Sequence, residues 1–92
     1  MIRLSGRLVC MTEGERETVL AYRPGHVAAT LAEPGCLSFT IDDTDDPMVF
    51  DVRESFRDRA SFDAHQARTR GSVWFEATKG ILRDFRVEEL RD

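Results

Sequence analysis

Ile2, Leu4, Leu8 and Cys10 alternate with Arg3, Ser5, Arg7 and Val9. An apolar period of two predicts a strand of about ten residues, with Gly6 as its weak point. Thr12 follows as an N-cap, and Glu15 stands three residues on, the spacing of a capping box. From Glu13 to Glu33 the period lengthens to that of a helix. Val19, Tyr22, His26, Val27, Thr30 and Leu31 gather near one side of it. Pro24-Gly25 interrupts this run. A proline inside a helix removes a hydrogen bond and costs about 3 kcal/mol, so a kink or two short helices end to end are expected there. Pro34-Gly35 ends the helix.

Period two returns over Cys36 to Ile41, with Leu37, Phe39 and Ile41 on one face and Cys36, Ser38 and Thr40 on the other. An acidic turn containing Pro47 separates this strand from the next, Met48 to Phe56. There Met48, Phe50, Val52, Glu54 and Phe56 share a face. The two strands read as a hairpin. Asp58 caps a helix over about Arg59 to Ala67, with Phe62 and His65 inward. Thr69-Arg70-Gly71 breaks it. Ser72 caps a further short helix through Lys79, with Trp74, Phe75 and Thr78 as its buried positions, and Gly80 stops it. Ile81 to Leu90 is the last strand, carrying Ile81, Phe85 and Val87.

The order β-α-β-β-α-β predicts an α+β, ferredoxin-like fold with an antiparallel sheet, in a single domain over residues 1–92. Helices would cover one face of the sheet. The other face would be polar if it met water. The strand after the first helix carries apolar or small residues on both sides, and Val9 and Met11 accompany Leu8 and Cys10. A second copy of the chain packed on the bare face, a homodimer, is the expectation that follows.

Composition narrows the function classes. The chain has 92 residues and a net charge of −4, with basic and acidic residues interspersed. Nothing forms a basic stripe, so nucleic acid is not an expected partner. No apolar run is long enough to span a bilayer, so no membrane is expected either. Met1-Ile2-Arg3-Leu4 already reads as strand rather than a signal peptide, which points to a cytoplasmic, reducing setting. The two cysteines, Cys10 and Cys36, then read as buried free thiols. The two histidines, His26 and His65, lie in no metal-ligand spacing, and no metal site is expected. The stretch Asp42-Asp43-Thr44-Asp45-Asp46 lacks the glycine and terminal glutamate of a calcium loop and reads as a solvated turn. No GxSxG, GxGxxG or P-loop occurs, which leaves hydrolase and nucleotide readings without support.

Ala32-Glu33-Pro34-Gly35-Cys36-Leu37-Ser38-Phe39 resembles a helix-to-strand junction of the antibiotic-biosynthesis-monooxygenase family. Glu54, Asp58 and Phe62-Asp63-Ala64-His65 resemble a second stretch of the same family. The resemblance implies a dimeric α/β barrel, two sheets face to face. It also implies oxidation of aromatic polyketides or quinols by molecular oxygen, with no cofactor: no metal, flavin or haem. The protein's share would be to bind a phenol, assist its deprotonation and exclude water. The chain departs from the pattern in having no asparagine. That counts strongly against the Asn–Trp–His set of haem-degrading relatives and weakens the polyketide-oxidase reading.

The candidate site lies between the sheet and its helices. Glu54 shares a strand face with Phe50, Val52 and Phe56, where burial would raise its pKa and suit it as a base. His65, on the next helix, could pair with it. Such a pair fits removal of a phenolic proton, and equally a plain bridge pinning helix to sheet. Phe39 and Phe50 would shape the cavity, with Phe62, Trp74 and Phe75 lining it or filling plain core. Tyr22 and His26, one turn apart, would reach the same space. Arg68 and Arg70 read as solvated surface cations. A catalyst acting on a small aromatic or quinol-like ligand is the leading expectation. A non-catalytic small-molecule-binding or stress-response dimer is the alternative, and a purely structural dimerisation module the third reading.

Overall fold

A computed structural model describes residues 1–91. The order is β1 (Ile2–Val9), α1 (Glu13–Leu31), β2 (Cys36–Asp43), β3 (Val49–Phe56), α2 (Arg59–Arg70), α3 (Val73–Thr78) and β4 (Leu82–Glu89). The strands form one antiparallel sheet in the order β2-β3-β1-β4. This is the expected ferredoxin-like α+β arrangement, with the second helical segment in two pieces.

Each helix begins where a side chain satisfies a free backbone N–H. Thr12, Asp58 and Ser72 accept from the amides of Glu15, Ser61 and Phe75. The Glu15 carboxylate reaches back to the amide of Met11, at 2.7 Å, one residue beyond the cap itself. Pro24 does not divide α1, which runs through it as one helix of 19 residues. Buried Val19 lies before the proline and buried His26 and Thr30 after it. Packing on both sides offsets the missing hydrogen bond. The helix ends at Leu31, two residues before Glu33, because the Glu33 amide bonds the Thr30 carbonyl and tightens the last turn. Gly35 then lies so close to α2 that an added Cβ would collide with the Ser61 side chain. The junction is thereby pressed against the start of α2.

Register assigns the two faces. Ile2, Leu4, Gly6 and Leu8 pair with Phe56, Glu54, Val52 and Phe50, and Phe39 and Ile41 pair with Glu54 and Val52. All of these but the glycine are buried under the helices. A bulge between Cys36 and Ser38 takes Leu37 out of line, and it is exposed rather than inward. On β4, Ile81 is buried just before the strand, Phe85 is half-buried and Val87 is exposed. Cys10 is buried, Cys36 is half-buried, and both are free thiols.

The open face differs from the expectation. Arg7 stands between Asp51 and Asp84, Ser5 between Arg53 and Arg86, and Arg3 between Ser55 and Glu88. Only the row Val49, Val9, Leu82 at one end of these strands is apolar. Two-sided apolarity is therefore not a property of the sheet. Residues that alternate correctly along one strand meet charged residues on its neighbours, and neighbours are not visible within a single strand's pattern. Among the described residues no helix is long and apolar enough to cross a membrane.

Candidate active site

Beneath the helices lies a cavity of about 270 Å³. Its walls include Leu4, Leu8, His26, Phe39, Glu54 and His65. Trp74, Phe75, Phe85 and Arg83 complete its far side. The hollow has a local cause. Leu4 and Leu8 flank Gly6, whose partners are Val52 and Phe85, so the middle of that row carries no side chain. A Cβ on Gly6 would collide with the Asp84 carbonyl oxygen, so nothing larger fits there.

Glu54 sits on the sheet with one carboxylate oxygen, Oε1, buried and without a hydrogen-bond partner. Burial, assisted by the nearby Glu33 charge, pushes its pKa up to about 7. His65 Nε2 lies 3.6 Å from that oxygen. His65 is 1% exposed, and burial lowers its pKa while Glu33 opposes the shift. His65 Nδ1 lies 2.7 Å from Glu33 Oε1. Arg68 donates to the same oxygen at 3.4 Å and to Thr30 Oγ1 at 3.0 Å.

His26 and Trp74 form one wall as a parallel stack, ring centroids 4.8 Å apart. Phe39 meets His26 edge-on at 5.3 Å. Burial lowers the His26 pKa to about 4, with the neighbouring His65 and Arg68 adding to the effect. A neutral imidazole on an indole makes a flat aromatic surface beside the carboxylate.

Of the residues expected at the site, Glu54, His65, His26, Phe39, Trp74 and Phe75 meet around this cavity. Three do not. Phe50 is buried toward the acidic turn under the Arg23 guanidinium, 5.3 Å away. Phe62 packs on Phe56 at 5.7 Å, inside solid core. Tyr22 is 43% exposed and borders a separate notch between α1 and α3. At about 100° per residue it sits roughly 60° round from the Val19–His26–Thr30 stripe, off the inward line. Arg68 is half-buried and bonded rather than solvated, whereas Arg70 is exposed at the cavity rim.

Two groups at or beside the cavity escape a reading of the sequence. Glu33 reads as a helix end, although it stands inside the family-like junction. Arg83 reads as one polar residue among several on the last strand. It lines the cavity and donates to the carbonyls of Thr78 and Ile81 and to Thr78 Oγ1. No pattern within that strand signals it. Among the described residues no cluster of three His, Cys, Asp or Glu side chains could hold a metal ion.

The family model for antibiotic biosynthesis monooxygenase matches residues 1–77. The chain belongs to that family. A Deinococcus radiodurans protein ascribed to it superposes with a TM-score of 0.83 at 19% identity, covering 100% of this chain and 94% of its own. A Nitrosomonas europaea protein ascribed likewise gives 0.76 at 21% identity, with 97% of each chain covered. Rv0793 from Mycobacterium tuberculosis gives 0.76 at 20%, covering 99% and 95%. At such identities these likenesses establish the fold alone. No curated protein matches the sequence.

Proposed function

We propose that this member of the antibiotic biosynthesis monooxygenase family oxidises a small aromatic or quinol-like compound with molecular oxygen and without a cofactor. One observation carries the reading: a buried carboxyl group, one of whose oxygens has no hydrogen-bond partner, forms part of the wall of a cavity lined by aromatic rings. Glu54, poised near neutrality, takes the phenolic proton, and His65 stands behind it. Phenolate formation makes the ring electron-rich enough to reduce oxygen. For a hydroquinone the balance is quinol plus O2 to hydroxyquinone plus water. The ring gains one oxygen atom, the other leaves as water with two substrate hydrogens, and the substrate supplies all four electrons.

Size favours a compact ligand. A cavity of about 150 Å³ accommodates benzene, and drug-sized ligands need about 300–1,000 Å³. The cavity here, about 270 Å³, suits one or two rings. A purely structural module would have no use for it. The family resemblance also supports a homodimer. The open face offers a ladder of opposite charges that a two-fold axis would pair with its own copy, beside the apolar row Val49, Val9, Leu82.

Oxygen uptake with hydroquinones and catechols tests the reaction. Glu54→Gln and His65→Ala should each lower turnover by about 10²–10⁴-fold. Unchanged turnover in both would remove the proton-handling role. Saturable ligand binding with no oxygen uptake would instead favour the non-catalytic dimer. Sedimentation equilibrium at micromolar concentration should give twice the chain mass, and a stable single chain would refute the dimer.

A further inference from the structure

We infer that Glu33 is a positioning residue that fixes His65 as its Nδ1–H tautomer and leaves the Nε2 lone pair facing Glu54. The inference rests on the reading of Glu54 and His65 as a proton-handling pair. Glu33 reaches the site from outside the cavity, at the junction that follows α1. Its Oε1 receives an N–H from Arg68, which can only donate, so this oxygen acts as an acceptor. The same atom lies 2.7 Å from His65 Nδ1, which must then carry the proton. A neutral imidazole has one N–H, so Nε2 is bare. The Thr69 hydroxyl, 3.4 Å from Nε2, is free to donate to it, and Glu54 Oε1 stands 3.6 Å away.

The groups packed around the ring agree with this orientation. His26 from α1 and Phe39 from β2 face it with their rings, at centroid distances of 6.0 and 5.8 Å. Phe56 from β3 lies at 4.8 Å. None of the three competes for Nε2. A proton taken from the ligand therefore finds an acceptor on the far side of the carboxyl group. The phenol O–H breaks and Glu54 O–H forms, the electron pair staying on the phenol oxygen. Burial raises the Glu54 pKa and lowers that of His65, so the proton stays on the carboxyl and the bare Nε2 faces it as a neutral acceptor. Gly35, by letting the junction press on α2, places Glu33 where it can do this.

The tautomer can be read without substrate. Nitrogen-15 spectra of the full chain report the tautomer of each imidazole, and the chain has only two histidines, so a His26→Phe background isolates His65. The wild-type side chain should show a protonated Nδ1 and an unprotonated Nε2 at neutral pH. Glu33→Leu, which cannot accept, should give a mixed or reversed tautomer while the amide spectrum stays native, and should lower turnover by about 10–100-fold. Glu33→Ala serves where the leucine does not fold. An Nε2–H tautomer in the wild type, or an unchanged tautomer in a folded Glu33 variant, overturns the inference. The expected tautomer without oxygen uptake would leave the positioning role standing and overturn the proposed reaction instead.

Discussion

Phe56 and Glu54 are successive inward positions of one strand, yet they sit in opposite kinds of interior. Phe56 is fully buried among Phe62 and the His65 ring, with ring contacts at 5.7 and 4.8 Å. Glu54 is nearly as buried, but it borders the cavity and one of its oxygens has no hydrogen-bond partner. The difference comes from the neighbours. Phe56 pairs with Ile2, which fills its row, whereas the row next to Glu54 runs through Gly6. His65 touches both regions, and so separates the part that holds the fold together from the part left open for chemistry.

The largest effect expected from this contrast is on stability. Phe56→Ala should cost about 3–5 kcal/mol, because its surroundings are packed and a void left there cannot collapse. Phe39→Ala already borders a cavity, and should cost about 1–2 kcal/mol less, since fewer contacts are lost. Urea denaturation of both variants measures this, and equal costs would erase the distinction between the two regions.

Much of this was legible in the chain. Strand and helix periods, the caps at Thr12, Asp58 and Ser72, and the inward row of β3 all follow from local chemistry, and the structure keeps them. What was not legible depends on register between strands or on rotation about a helix. The charged open face became visible only when Arg7 met Asp51 and Asp84. Tyr22 lay one turn from His26 but off its line. Leu37 left the inward face through a bulge that no residue type announced. Glu33 mattered because the chain turned back toward α2, and a helical reading up to that residue hid the turn.

A second expected effect concerns pH. Burial raises the Glu54 pKa from 4.5 to about 7, so between these values the folded state binds more protons than the unfolded chain. Stability therefore falls as pH rises through that window, and the full penalty, about 3 kcal/mol, is present above pH 7. His26 acts in the opposite sense. Its pKa is lowered from 6.5 to about 4, so stability is lost as pH falls through that range, and His65 adds to the same trend. The slopes partly cancel in the wild type. Glu54→Gln removes the first and exposes the second: stability should match the wild type near pH 4 and exceed it at pH 8 by up to about 3 kcal/mol. Denaturant midpoints across pH 4 to 8 check the sign. A Glu54→Gln variant no more stable than the wild type at pH 8 would mean that the carboxylate is solvated, and the hollow region would lose what distinguishes it.

The smallest effect separates ligand from fold. Trp74 in the cavity wall and Phe62 in the packed region are equally buried, each 5% exposed. Trp74→Phe keeps an aromatic ring but narrows the surface stacked on His26, so binding of a catechol or hydroquinone should weaken by about 0.5–1.5 kcal/mol. Phe62→Leu conserves most of the apolar volume and should cost less than about 1.5 kcal/mol of stability with no change in ligand affinity. Calorimetric titration beside thermal unfolding reads both quantities in each variant. The pattern to expect is crossed: affinity moves with Trp74 and stability with Phe62. If Phe62→Leu weakened the ligand as much as Trp74→Phe, the two regions would share one deformable interior, with His65 transmitting the change instead of dividing them.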